Sequence, residues 1–204
     1  MTVSDHRHTS DMPSQSLHRW QTEARAALDQ IQSAHAAVGG SKRGRRYATL
    51  QINHAYLVLV SSHFQRFCRD LHGEAIDQLC RQGHPHDPRR DILRYGLSLN
   101  RQLEARNPTP AAIGADFERF NLRFWDVVKS KSPARNRRRQ ELLDELNKWR
   151  NAIAHQDFAH NNLSPNGVTL SLVRRFRSAC DDLARRFDAV LATHLATMMG
   201  VAPW

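Results

Sequence analysis

ATLQINHAYLVLVSSHFQRFCRDLHGEAIDQLCR (residues 48–81) places Leu57, Val60, Phe64, Phe67, Leu71, Ala75 and Leu79 at steps of three and four. Those steps return a side chain to the same face of an α-helix, whereas a half-buried strand alternates by two. Gly83 and Pro85 stop the run. The pattern predicts one central helix over residues 48–81, about 50 Å long at 1.5 Å per residue. An apolar face of that length is stable only when other elements cover it, so the flanking sequence has to supply long helices as well.

It does so on both sides. Upstream, Leu17, Trp20, Ala24, Leu28 and Ile31 form one stripe of a helix from about Ser16 to Val38, ended by Gly39-Gly40. Downstream, a shorter helix starts from Asp91 as N-cap and runs through Leu93, Leu97 and Leu99 to about Glu104. Asn107-Pro108-Thr109-Pro110 breaks the chain, and Phe117, Phe120, Phe124 and Val128 mark another helix. After the loop Lys129 to Pro133, a cationic run leads into a helix carrying Leu142, Leu146, Trp149 and Ile153. The turn Ser164-Pro165-Asn166-Gly167 precedes the last helix, whose stripe is Leu172, Phe176, Cys180, Leu183, Phe187, Val190 and Leu195. Strand alternation and internal repeats are absent from the pattern. The expectation is an all-α bundle of four principal helices plus shorter ones, with residues 1–14 a disordered tail and residues 15–204 a single domain.

Composition narrows the function. The chain of 204 residues has a formal charge of +10 and a pI near 10.5, carried mostly by arginine. Guanidinium forks match phosphate geometry, which points to a polyanionic partner. The basic runs Lys42, Arg43, Arg45, Arg46 and Arg135, Arg137, Arg138, Arg139 sit at predicted helix starts and are candidate RNA-backbone contacts. The longest apolar run, Ala55 to Val60, is far too short for a membrane span, and a secretory start is missing, so the expected location is cytoplasmic. Cys68, Cys80 and Cys180 are odd in number and lie among apolar helical positions, which reads as reduced core thiols. His72-Gly73-Glu74 lacks the cysteine pair of a zinc deaminase, and His84-Pro85-His86-Asp87 reads as a turn, so no metal site is assigned. With no glycine-rich phosphate loop, ATPase and dehydrogenase chemistry is unsupported, and no cofactor is expected.

The chemistry concentrates in Arg150-Asn151-Ala152-Ile153-Ala154-His155. Spacing alone proves little, because Arg81 to His86 repeats it through Gly83 and Pro85 in a loop. The Arg150 copy instead closes a periodic helix. Arg150 is a permanent cation, and histidine titrates near neutrality, a combination suited to opening a phosphodiester without a metal. At about 100° per residue, Asn151 lies about 40° from His155, while Arg150 and His155 diverge by about 140°. One straight helix therefore aims the pair apart, and a second copy across a two-fold axis would bring two such pairs together. The same residues also serve as helix-end dipole partners and as arginines lying over apolar edges, so the surroundings of the motif must decide.

The segment Leu142 to Phe158, an apolar-striped helix closing in Arg-Asn-x-x-Ala-His, resembles the signature of the HEPN superfamily (higher eukaryotes and prokaryotes nucleotide-binding), most of all stand-alone bacterial proteins of the RiboL-PSP kind. The resemblance implies an α-helical, homodimeric, metal-independent endoribonuclease, often the toxin of a toxin-antitoxin or phage-defence system. It also implies RNA as substrate and an antitoxin partner of nucleotidyltransferase-like or DNA-binding type. Arg150 and His155 match its catalytic pair and Asn151 its polar neighbour. Members also draw a polar residue from an earlier helix, for which Ser62, His63, Asp70 and Glu74 are the candidates. Other members have lost cleavage, so the alternative is a non-catalytic nucleotide- or RNA-binding or interaction module.

Overall fold

A computed structural model describes residues 12–39, 47–81 and 87–204. The first long helix consists of α1 (Gln15–Arg19), a π turn (Trp20–Ala24) and α2 (Arg25–Gly39). Its start is built from three parts of the chain. Leu17 N–H donates to the Ser14 hydroxyl at 3.0 Å, Ser14 N–H donates to Asp188, and Gln15 N–H and Ser16 N–H donate to the Glu74 carboxylate at 2.9 and 3.0 Å. A carboxylate here satisfies amides that have no partner within the helix and complements the helix dipole. Ser14, which composition alone leaves in the tail, is thus fully buried.

The central helix α3 (Tyr47–Arg81) matches its predicted span within one residue. It packs along α1 and α2 on one flank and against α8 (Pro133–His155) and α9 (Leu170–Met199) on the others, while α8 also lies on α9. These are the four principal helices of an all-α bundle. Phe64 of α3 and Phe187 of α9 meet at its centre, where Phe117 and Phe124 add stacked rings 4.5 Å apart. Phe117, Phe120, Phe124 and Trp125 are core residues, and Cys68, Cys80 and Cys180 are buried free thiols.

The short helices depart from the predicted boundaries. The N-cap of α4 (Pro88–Ser98) is Asp87, whose carboxylate accepts from Arg89 N–H, and not Asp91. Pro88 at the first helical position needs no amide partner, which moves the start four residues earlier than the apolar pattern suggests. The helix stops at Ser98, Asn100 turns left-handed (φ 53°), and α5 (Gln102–Ala105) follows as a separate turn. Its Leu103 is buried, but α4 buries no residue: Ile92 is 72% and Tyr95 66% exposed. The predicted helix through Phe117 to Val128 is two helices, α6 (Pro110–Phe117) and α7 (Phe124–Ser130), separated by a tight turn ending at left-handed Asn121 (φ 56°). Asparagine tolerates that conformation, and the phenylalanine spacing survives because both helices face the same core. Pro133 opens α8, so the cationic run lies inside the helix and not ahead of it.

Candidate active site

Residues Leu142, Leu146, Trp149 and Ala152 of α8 are buried, which fixes the rotation of the helix and hence the direction of its polar side. Arg150 and Asn151 are half-buried on that side, and His155 is exposed in the last turn. The helix ends at once. Gln156 turns left-handed (φ 54°), its N–H donates to Ile153 O, and Asp157 N–H donates to Ala152 O at 3.1 Å, satisfying carbonyls that would otherwise lack partners.

The chain after His155 is clamped to the bundle. Phe158 stacks on His54 of α3 with ring centroids 5.9 Å apart. The His54 imidazole bonds Pro165 O at 3.0 Å, and Asn53 Nδ2 donates to Val168 O at 3.0 Å. Gly167 crosses the Trp149 ring so closely that a Cβ there would lie 2.8 Å from it. The far end of the motif is therefore held by α3 on one side and by its own tryptophan on the other.

A second segment closes on the motif from the opposite direction. The link between α5 and α6 reaches α8, where Asn147 Nδ2 donates to Pro108 O at 3.0 Å and Asn107 Nδ2 donates to Asn151 Oδ1. Gln65 of α3 holds the same link through the carbonyls of Leu103 and Arg106, at 3.0 and 2.8 Å. Arg150 Nη1 donates to Asn151 Oδ1 at 3.3 Å. Among the described residues, neither Arg150 nor His155 pairs with a carboxylate. Arg106, next to Asn107, is exposed and its side chain also has no partner among them.

The structure thus brings Arg150 and Asn151 into contact, while Asn151 makes no bond to His155. None of the candidates on α3 makes a hydrogen bond or ion pair to the motif among the described residues. His63 faces α1 beside Arg19 and Glu23, with its pKa lowered by burial and by the Arg66 charge. Asp70 pairs with Arg19 and Arg66 at 3.6 and 3.5 Å, Glu74 caps α1, and Ser62 is exposed. The residues that do approach from outside α8 are Asn107 and, through the link, Gln65. In the sequence, Asn107 signals only a chain break, and nothing couples it to a residue 44 positions away.

The basic candidates separate in the same way. Arg135 and Arg137 are exposed without ion pairs, whereas Arg138 pairs with Glu141 at 2.9 Å and Arg139 pairs with Asp182 of α9. The run lies at the opposite end of α8 from the motif. Arg137 and Arg150 are about 20 Å apart along the axis, so within one chain the run stands away from the site. Lys42, Arg43, Arg45 and Arg46 lie outside the described residues.

The family model RiboL-PSP-HEPN matches residues 20–193, from the π turn through most of α9. The chain belongs to the RiboL-PSP-HEPN family. This match spans both segments that meet at Asn151. No curated protein and no solved structure matches the chain. Among the described residues of this RiboL-PSP-HEPN protein, no helix is long and apolar enough to cross a membrane.

Proposed function

We propose that the protein is a homodimeric endoribonuclease of the cytoplasm that cleaves RNA without a metal, acting as the toxin of a toxin-antitoxin or phage-defence system. The observation that carries this reading is the pairing of Arg150 with a neutral amide, with His155 exposed about one and a half turns beyond and, among the described residues, no carboxylate on either. A guanidinium so placed keeps its charge for phosphate, and an exposed imidazole is within reach of substrate. In the reaction His155 takes the proton of a ribose 2′-OH as that oxygen attacks phosphorus, and Arg150 stabilises charge on the non-bridging oxygens. The 5′-oxygen leaves with a proton from water, leaving a 2′,3′-cyclic phosphate. The divergence of about 140° between the two side chains on one helix is the reason for a dimer.

The test is incubation of structured RNA with the purified protein in EDTA, beside Arg150→Ala and His155→Ala. Cleavage lost in both variants, with a 2′-deoxy substitution at the cut resisting wild type, is the expected result. Equal cleavage by all three proteins would overturn the reading. The same divergence favours a second reading, a nucleotide- or RNA-binding module without cleavage. In that case Arg150→Ala weakens salt-sensitive binding and His155→Ala changes little.

A further inference from the structure

We infer that Asn107 is a positioning residue that fixes Asn151 as a hydrogen-bond donor toward an RNA phosphate, an inference that rests on the ribonuclease reading above. Asn151 Oδ1 receives two donors, Asn107 Nδ2 and Arg150 Nη1. An amide oxygen has two lone pairs, so these contacts fill it. What remains is the Asn151 amide nitrogen, which makes no bond among the described residues. It lies on a half-buried side chain about 40° around the helix from His155 and one turn before it. With its oxygen occupied, Asn151 cannot accept a hydrogen bond from the imidazole N–H. It presents two N–H donors, which suit an anionic non-bridging oxygen.

Asn107 can impose this orientation because its own place is over-determined. Gln65 of α3 holds the carbonyl just before it, Asn147 of α8 holds Pro108 just after it, and Thr109 N–H donates to its carbonyl at 2.7 Å. Without the Asn107 amide, only the long 3.3 Å contact from Arg150 still favours this orientation, and Asn151 can turn through 180° and offer its oxygen to the phosphate, a repulsive arrangement.

Two substitutions separate positioning from folding. Asn107→Ala removes the donor. Asn107→Asp replaces it with an acceptor, which keeps a bond to Asn151 but turns the amide round. Measured on RNA in EDTA, Asn107→Ala should lower kcat about tenfold with little change in KM, part of the hundredfold or more that loss of a preorganised donor costs. Asn107→Asp should lose at least as much while its thermal midpoint stays at the wild-type value. Because Asn107 acts through Asn151, Asn107→Ala combined with Asn151→Ala should be no slower than Asn151→Ala alone.

Wild-type rates in both Asn107 variants, with Arg150→Ala and His155→Ala inactive, would overturn this inference and leave the ribonuclease reading standing. So would a double variant that loses the product of the two single effects. A binding arm uses a fluorescent RNA with every 2′ position methylated, which cannot be cut, read by anisotropy. Weaker binding by Asn107→Asp that disappears in the Asn151→Ala background supports the inference, because simple repulsion by the new carboxylate would persist there. Unchanged affinity together with an unchanged rate overturns it, and a wild type that neither cuts nor binds RNA overturns both readings.

Discussion

His72 shows at the scale of one residue how burial converts a familiar catalytic residue type into a structural one. Its ring is fully buried against Phe117 and Phe120, and its Nε2 lies 2.9 Å from the backbone oxygen of Asp116. Desolvation first, and then the charges of Arg101 and Arg119, lower its pKa to about 4 against the opposing pull of the Asp116 carbonyl and carboxylate. The folded value lies below the unfolded one, near 6.5, so the unfolded chain takes up a proton first as pH falls. Stability contributed by neutral His72 is present above pH 6.5 and is lost on the way down to about pH 4. The full loss is about 3 kcal/mol. Asp181 and Asp188, raised by burial, act in the opposite sense, so a comparison is needed to isolate the histidine. Urea midpoints at pH 7 and pH 4.5 should fall further for wild type than for His72→Gln; parallel falls would contradict the assignment. In the sequence His72 and Glu74 stand together as a fragment of a zinc motif, and only packing shows one to be core and the other a helix cap. Arg150, Asn151 and His155 are legible because they are contiguous, whereas the Asn107 contact is not.

Among the elements, α4 stands apart. Among the described residues it is tied to the bundle by Leu97, by the Cys80 thiol at the Arg90 carbonyl, by Arg119, which donates to Leu97 O at 3.2 Å, and by the Arg94–Asp77 ion pair at 2.6 Å, which lies at the surface. Exposed pairs of that kind contribute little. Ile92→Ser and Tyr95→Ser should therefore change stability by less than about 0.5 kcal/mol, while Leu103→Ala in the next turn, fully buried, should cost about 2–5 kcal/mol. Thermal or urea unfolding of the three variants decides this, and a large cost at Ile92 would place α4 in the cooperative core. The contrast also explains what was legible in the sequence. The long helices were readable because a continuous apolar stripe both forms a helix and demands partners. The breaks at Asn100 and Asn121 were not, since a left-handed asparagine leaves the spacing of buried side chains on either side of it intact.

At the scale of the whole molecule, the proposed dimer makes a quantitative demand. If Arg150 of one copy serves with His155 of the other, a mixed dimer of Arg150→Ala and His155→Ala contains one intact composite site and one doubly impaired site. Unfolding and refolding the two inactive variants together at equal amounts should then restore about a quarter of the wild-type activity, since half of random pairs are mixed. No recovery would assign each site to a single chain. The first helix carries a different consequence, one of chain length. In its π turn Arg25 N–H donates to Trp20 O, five residues back, so the turn holds one residue more than an α-helix needs. Removing exposed Thr22 should let that turn relax to ordinary α geometry, with Leu17 and Leu28 both still facing the core. Removing exposed Ser178 from regular α9 should instead rotate everything after it by about 100° and carry Leu183, Phe187 and Leu195 off the core. Circular dichroism melts should find the first deletion folded and the second unfolded. The π turn is thus a site of tolerated deletion, where the chain can shorten by one residue without the rest of the bundle shifting register.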